Sequence, residues 1–94
     1  MAVPKGCAGL IYARSGMACK RDLAPANKVG VIDSDYRGEV IVALHNHGTQ
    51  DQVITNHDRI AQLIITPVIT PAYVEADNLE DTLRGDGGFG STGK

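Results

Sequence analysis

Two carboxylates stand close together in the stretch GVIDSDYRGE, residues 30–39. Asp33 and Asp35 flank Ser34, and Tyr36 follows directly. In a regular strand the two carboxylates would point to the same face, because side chains alternate between faces. Asp and Ser also favour turns, so an ordinary Asx-type turn is one interpretation. The other is that a carboxylate here acts as a general base beside the aromatic ring of Tyr36.

A second group of polar residues could bind phosphate. Arg14, Ser15 and Gly16 bring a guanidinium, a hydroxyl and backbone N–H groups together at the end of a β-like run. Such groups suit phosphate oxygens, although a helix cap at Ser15 beside a surface arginine is the simpler interpretation. Further along, Gln62 interrupts an apolar run. A buried glutamine needs hydrogen-bond partners, so Gln62 either satisfies neighbouring backbone or reaches into a site.

The C-terminal stretch GFGSTGK, residues 88–94, matches the G-x-x-x-x-G-K pattern of a P-loop. A P-loop also needs a preceding strand and a helix that receives the phosphates, whereas the stretch NLEDTL before it is polar. Arg84 and Phe89 lie among these glycines, and a plain linker needs neither a cation nor an aromatic ring. The segment is therefore predicted to be an arm that closes over a ligand.

The histidines and cysteines form no convincing metal motif. His45 and His47 lie two residues apart and could share a face, with His57 further on. An H-x-H pair can bind zinc, but no third ligand follows at a suitable spacing, and no metal site is predicted. Cys7 and Cys19 are expected to be free thiols in a reducing cytoplasm.

Length and composition predict a single domain with an aliphatic core. The 94 residues include one Phe and no Trp, so Val, Ile, Leu and Ala must fill the interior. A net charge of −2 argues against broad nucleic-acid binding. No apolar run is long enough to span a membrane, and no signal peptide is visible.

The elements that would position these residues are short strands. A helical turn is expected from Ser15, and SDYRG is expected to connect a hairpin. The predicted strands cover residues 8–14, 29–33, 39–46, 51–55, 59–69 and 72–76. The pattern predicts an all-β sandwich or jelly roll at residues 1–76, followed by a flexible arm at residues 77–94. Pairing of strand edges in an oligomer would help so small a β domain.

Four motifs occur together in one order: RSGMACK, GVIDSDYRGE, DRIAQL and RGDGGFGSTG. As a set they closely resemble the trimeric deoxyuridine triphosphatases (dUTPases), over nearly the whole chain. The resemblance implies a β jelly roll that assembles as a homotrimer, with each active site formed between subunits. It also implies Mg²⁺-dependent hydrolysis of dUTP to dUMP and pyrophosphate.

The resemblance assigns roles by motif position. Asp33 resembles the base that activates water, and Tyr36 resembles the ring that packs on deoxyribose and excludes a 2′-hydroxyl. The uracil slot would be lined by Asn27, Val31, Ile32 and Ile41. The phosphates would be held by Arg14, Ser15 and Gly16, with Gln62 nearby. From the arm, Phe89 would stack on uracil, and the β- and γ-phosphates would be enclosed by Arg84, Gly90, Ser91 and Thr92.

One departure from the family concerns an upstream motif whose Asp helps to hold Mg²⁺ through water. This sequence begins at MAVPKGCAG, shortly before the phosphate motif. We therefore expect a chain that lacks the family's N-terminal strands and hydrolyses dUTP poorly alone. A catalytically silent nucleotide-binding trimer is one alternative. A relative of the dCTP deaminases is another, although IDSDY replaces the IDPG turn usual there.

Overall fold

The computed structural model describes residues 1–90 and 93, and most of its regular structure is β. The elements in chain order are β1 (Cys7–Tyr12), α1 (Ser15–Lys20), β2 (Leu23–Pro25), β3 (Gly30–Ile32), β4 (Leu44–Asn46) and β5 (Gln62–Pro67). Strands β3, β1 and β5 form one antiparallel sheet in that order, and β2 pairs antiparallel with β4. The prediction of an all-β chain with at most one short helix is confirmed.

Strand β1 is the centre of the larger sheet. Gly9 lies opposite Ile32 on one side and Ile65 on the other. A Cβ atom at Gly9 would lie 3.2 Å from Leu63 Cδ1 and 3.3 Å from Val3 Cγ2. The close approach of these side chains over the strand therefore requires glycine at this position.

A small aliphatic cluster covers one face of this sheet. Val3, Ile11 and Ile32 are buried together, with Cys7, Val42 and Ala61 packed against them. The opposite face carries an apolar row that runs across all three strands. Leu10 lies in register with both Val31 and Ile64, and Val31 and Ile64 are 62% and 48% exposed.

The predicted hairpin between residues 29–33 and 39–46 is wrong. Strand β3 pairs with β1, and β4 pairs with β2, so the chain crosses from one sheet to the other between them. Only Leu44–Asn46 of the second segment is a strand. The sequence pattern identified extended chain correctly but not its partner, which is set by distant residues.

Two predicted strands are absent from the described part of the chain. Residues 51–55 and 72–76 belong to no strand. The first segment is held by side-chain hydrogen bonds instead, since Arg21 Nε donates to Gln52 Oε1 at 3.2 Å. Conversely, the predicted loop at residues 24–30 contains most of β2, because Ala24 and Pro25 pair with β4.

The N-cap of α1 lies one residue earlier than predicted. Arg14 is the N-cap, with extended backbone and no side-chain hydrogen bond, and Ser15 is the first helical residue. The prediction that Ser15 caps the helix is therefore wrong. Met17 is buried, and the helix ends at Lys20 with Arg21 as the C-cap. This short helix lies directly after the central strand and so presents residues 14–16 at the end of the sheet.

After β5 the described chain has no helix or strand. From Ile69 onward its large apolar side chains are almost fully exposed, including Tyr73 and Leu79. The division into a β domain at residues 1–76 and an arm at 77–94 stays a prediction. The described residues contain no helix long and apolar enough to cross a membrane.

Candidate functional site

A polar cavity of about 420 Å³ lies at the N-terminal end of α1. It brings the helix start together with a segment more than forty residues later in the sequence. Its lining residues are Arg14, Ser15, Gly16, Met17, Arg21, Asp58, Arg59 and Gln62. Three arginines and one aspartate give it a positive balance. In the part of the chain that the structure describes, Arg14 and Arg59 form no salt bridge.

Gln62 joins the two walls of this cavity. It is the first residue of β5 and lies opposite Tyr12. Its side-chain Nε2 donates to the Ala13 carbonyl at 2.8 Å. The side chain is exposed rather than buried, so both interpretations from the sequence apply: Gln62 satisfies backbone and also faces a cavity.

A second, smaller cavity of about 210 Å³ lies beside β3. It brings the loop before β3 together with the returning chain that precedes β4. Its lining residues are Ile11, Asn27, Gly30, Val31, Ile32, Asp33, Tyr36, Glu39, Val40 and Ile41. Six of the residues predicted from the sequence are therefore neighbours here. We call this cavity the slot and the polar one the cationic cavity.

Tyr36 is fixed in place at the slot by the turn that follows β3. Its backbone N–H donates to the Asp33 carbonyl at 3.1 Å, and its hydroxyl donates to the Glu39 carbonyl at 2.6 Å. A Cβ atom at Gly38 would overlap the Tyr36 ring and hydroxyl. Gly38 therefore allows the ring to fold back onto the chain, and this orients the ring at the mouth of the slot.

Asp33 and Asp35 do not share a role in this geometry. Asp33 is exposed and lines the slot, whereas Asp35 lines neither cavity. Strand β3 ends at Ile32, and Ser34 and Asp35 form a turn. The strand does not continue through the two carboxylates, so alternation does not place them on one face, and the structure agrees with the turn interpretation.

The described residues of the C-terminal segment line neither cavity. Arg84 Nε donates to the Gly87 carbonyl at 2.8 Å, and Phe89 is fully exposed. Gly90 has a φ of 87°, in the left-handed region that favours glycine. Arg84, Phe89 and Gly90 line neither cavity. Ser91 and Thr92 lie outside the described residues.

The sequence analysis assigned no phosphate-binding role to four residues that line the cationic cavity: Met17, Arg21, Asp58 and Arg59. Asp58 accepts hydrogen bonds from the Thr55 backbone N–H and hydroxyl, both at 3.0 Å. These two bonds, with a smaller contribution from the Arg21 charge, hold the pKa of Asp58 below its usual value. The motif DRIAQL contained Asp58 and Arg59, but only Gln62 was selected from it because Gln62 interrupts the apolar run.

The histidines at β4 contact the end of α1. His47 Nε2 lies 3.2 Å from the Ala18 carbonyl and 3.5 Å from Asp22 Oδ1. The rings of His45 and His47 stack with centroids 6.3 Å apart. His47 thus joins the two-stranded sheet to α1. Within residues 1–90 and 93, no three His, Cys, Asp or Glu side chains group closely enough to hold a metal ion.

Comparison with known proteins identifies related sequences and folds. A family model described as dUTPase matches residues 1–93. Proteins named deoxyuridine 5'-triphosphate nucleotidohydrolase are 53% identical to this chain in Desulfitobacterium hafniense, over 94% of this chain, and in Arabidopsis thaliana, over 99%. The chain spans 58% and 55% of the lengths of those two relatives.

Solved structures show the same fold. The dUTPase of Staphylococcus bacteriophage 80alpha, determined as a mutant with dUpNHpp, superposes with a TM-score of 0.82 at 26% identity. The match covers 99% of this chain and 70% of the phage chain. This likeness confirms the predicted jelly-roll class.

Proposed function

The chain belongs to the dUTPase family, and on this basis we propose that it hydrolyses dUTP to dUMP and pyrophosphate. Water would attack the α-phosphorus. The observation that carries the proposal is the slot, which gathers Asp33, Tyr36 and the β3 backbone around one small cavity. At about 210 Å³ the slot is smaller than a typical ligand pocket of roughly 300–1,000 Å³, so it suits a base and sugar rather than a whole nucleotide.

The slot offers the groups that recognition of uracil requires. Strand β3 lines it at Val31 and Ile32, together with Asn27 and with Ile41 on the returning chain. Backbone N–H and C=O groups can read the polar edge of a pyrimidine, and the aliphatic side chains exclude water and additional substituents. A methyl group on the pyrimidine would meet these walls, which favours uracil over thymine.

Tyr36 would select the sugar. Its hydroxyl is held by the Glu39 carbonyl at 2.6 Å, so the ring has a fixed position. A deoxyribose would pack on this ring, and a ribose 2′-hydroxyl would meet it. A fixed ring discriminates better than a mobile one, because moving it aside would cost the hydrogen bond.

Asp33 would be the general base. Its carboxylate is exposed beside Tyr36 in the slot, where it could orient a water molecule toward the α-phosphorus. A positioned base typically contributes about 10²–10⁴-fold to a rate. The remaining acceleration in phosphoryl transfer comes mainly from positioning and from neutralisation of charge.

The cationic cavity would hold the phosphates. Arg14, Ser15 and Gly16 provide a guanidinium, a hydroxyl and backbone N–H groups on one wall, and Gln62 faces them. Arg84, Phe89 and Gly90 would reach a bound nucleotide from the arm, together with Ser91 and Thr92. We assign stacking on uracil to Phe89 and contacts with the β- and γ-phosphates to the other four.

Mg²⁺ fits this donor set as a partner of the triphosphate. It often binds through phosphate oxygens, water and only one or two carboxylates. When bound it would neutralise phosphate charge. The described residues form no cage of three metal ligands, so we assign no residue of this chain to the metal.

We further propose a homotrimer with sites shared between subunits. The apolar row formed by Leu10, Val31 and Ile64 lies open on the outer face of the larger sheet, and exposed apolar patches commonly mark interfaces.

The free thiols of Cys7 and Cys19 support a cytoplasmic location.

The proposed function is tested by measuring pyrophosphate release from dUTP, UTP, dTTP and dCTP by the full-length protein with Mg²⁺. We expect turnover of dUTP and at least about tenfold slower turnover of each other nucleotide, the scale of one lost or clashing contact. Equal turnover of dUTP and dCTP would refute recognition of uracil. Binding of dUTP without any pyrophosphate release would refute catalysis.

A further inference from the structure

Arg21 lines the cationic cavity, and its guanidinium also donates hydrogen bonds to neighbouring protein groups. It is the C-cap of α1, and its backbone N–H donates to the Met17 carbonyl at 3.2 Å. Its side chain is 35% exposed. Helix α1 therefore fixes the position from which the guanidinium reaches outward.

The guanidinium binds the loop formed by residues 52–58. Nε donates to Gln52 Oε1 at 3.2 Å, and Nη2 donates to the Val53 carbonyl at 2.5 Å. Nη1 lies 3.9 Å from Asp58 Oδ2 and 3.6 Å from Met17 Sδ. One side chain thus contacts both ends of the loop and the helix. The planar arginine fork suits several acceptors at once, which a lysine cannot match.

The 52–58 loop contains a tight turn, which contact with Arg21 helps to hold in place. Asp58 N–H donates to the Thr55 carbonyl at 3.1 Å, which closes a turn. Within that turn His57 has a φ of 72°, a left-handed conformation that costs energy for a residue other than glycine. The residues that follow are Arg59 and Gln62, which form the wall of the cavity opposite Arg14.

We propose that Arg21 is a positioning residue for the triphosphate: it ties the 52–58 loop to α1 and thereby sets the spacing between the two walls of the cationic cavity. This proposal rests on the proposed function, because it takes the ligand between the two walls of the cationic cavity to be the triphosphate. Arg21 itself does not bind phosphate in this account, since Nε and Nη2 each donate to the loop and Nη1 lies between Met17 Sδ and the Asp58 carboxylate. Gln52, which does not line the cavity, influences phosphate binding only through Arg21.

The first test is amide hydrogen exchange of the full-length protein without nucleotide. Arg21→Met should speed exchange at residues 53–59 while the amides of β1 stay protected, because the loop loses its anchor. Lys20→Met is the matched control, since it removes one positive charge from the same helix end but no contact with the loop. Unchanged loop exchange in Arg21→Met would overturn the proposal.

The second test compares binding of deoxyuridine with binding of α,β-imido-dUTP and Mg²⁺. Arg21→Met should weaken binding of the triphosphate analogue by about tenfold or more, the effect expected when charge-assisted hydrogen bonds are lost. Binding of deoxyuridine should not change. Arg21→Lys should resemble Arg21→Met, and Gln52→Leu should shift affinity in the same direction by a smaller factor. Lys20→Met should match the wild type.

The outcomes separate the alternatives. Wild-type affinity in Arg21→Lys would mean that charge alone matters, and an unaffected Gln52→Leu variant with a weakened Arg21→Met variant would mean direct phosphate contact. Either result overturns positioning. A wild-type protein that binds neither ligand would refute the proposed function, and hydrogen exchange would separately decide whether Arg21 holds the loop.

Discussion

At the scale of single residues, the account depends on Asp33 and Tyr36 being side by side at the slot. The sequence placed both in one motif but left two carboxylates as candidates for the base. The structure separates them, because β3 ends at Ile32 and the turn carries Asp35 away from the slot. Asp35 is thus a natural control for Asp33.

Asp33→Asn should lower dUTP turnover by about 10²–10⁴-fold, the usual contribution of a general base. The amide keeps the shape of the side chain, so affinity for α,β-imido-dUTP should change little. Asp35→Asn should retain turnover close to the wild type. Steady-state kinetics and calorimetric titration of the three proteins check this, and equal turnover by Asp33→Asn and wild type would remove Asp33 from the mechanism.

Gly38→Ala should weaken discrimination against ribose. The added methyl group would overlap the Tyr36 ring and push it from its place. We expect the ratio of dUTP to UTP turnover to fall by several-fold or more. Tyr36→Phe keeps the ring and loses only one hydrogen bond, worth about 0.5–1.5 kcal/mol, so its ratio should fall less. A larger fall in Tyr36→Phe than in Gly38→Ala would contradict a steric role for the ring.

At the scale of elements, sequence patterns predicted the strands that carry long apolar or β-branched runs. Strands β1 and β5 were found in this way, as was β3. Strand β2 was not, and β4 was predicted only as part of a longer segment with the wrong partner, because each has three residues and exists only through pairing with the other. The same limit explains the wrong hairpin: local pattern shows that residues are extended, whereas distant residues decide which strands meet.

The predicted arm at residues 77–94 has no visible role in a single chain, because Arg84, Phe89 and Gly90 line neither cavity. Phe89→Ala should weaken binding of α,β-imido-dUTP by roughly 1–3 kcal/mol if loss of base stacking dominates. Leu83→Ala is the matched control, since Leu83 is an equally exposed apolar side chain of the same segment. Titration calorimetry compares the two. Equal effects would show that stacking by Phe89 is not the source of the affinity.

At the scale of the whole molecule, the hydrophobic core of the described chain has only six buried residues, and one sheet face remains open. Small domains bury a limited fraction of their surface and gain stability by association. The small size and aromatic-poor composition of the sequence predicted that association would help to stabilise the domain. The surface that we propose for association could not be predicted from the sequence, because it depends on the register that aligns Leu10, Val31 and Ile64.

Ile64→Asp should disrupt the trimer, because it would place a charge at one end of the apolar row. Analytical ultracentrifugation should give the mass of three chains for the wild type and a smaller mass for the variant. Ile69→Asp serves as the control, since Ile69 is more exposed and lies beyond β5. A trimer that persists in Ile64→Asp would place the interface elsewhere.

The central claim is that the slot holds uracil and that the cationic cavity holds the phosphates. A crystal structure of the full-length protein with α,β-imido-dUTP and Mg²⁺ tests it most directly. We predict uracil against the β3 backbone, deoxyribose on Tyr36, and the phosphates at Arg14, Ser15 and Gly16 of the same or a neighbouring subunit. A nucleotide bound with its base outside the slot, or with Asp33 remote from the α-phosphate, would contradict the account.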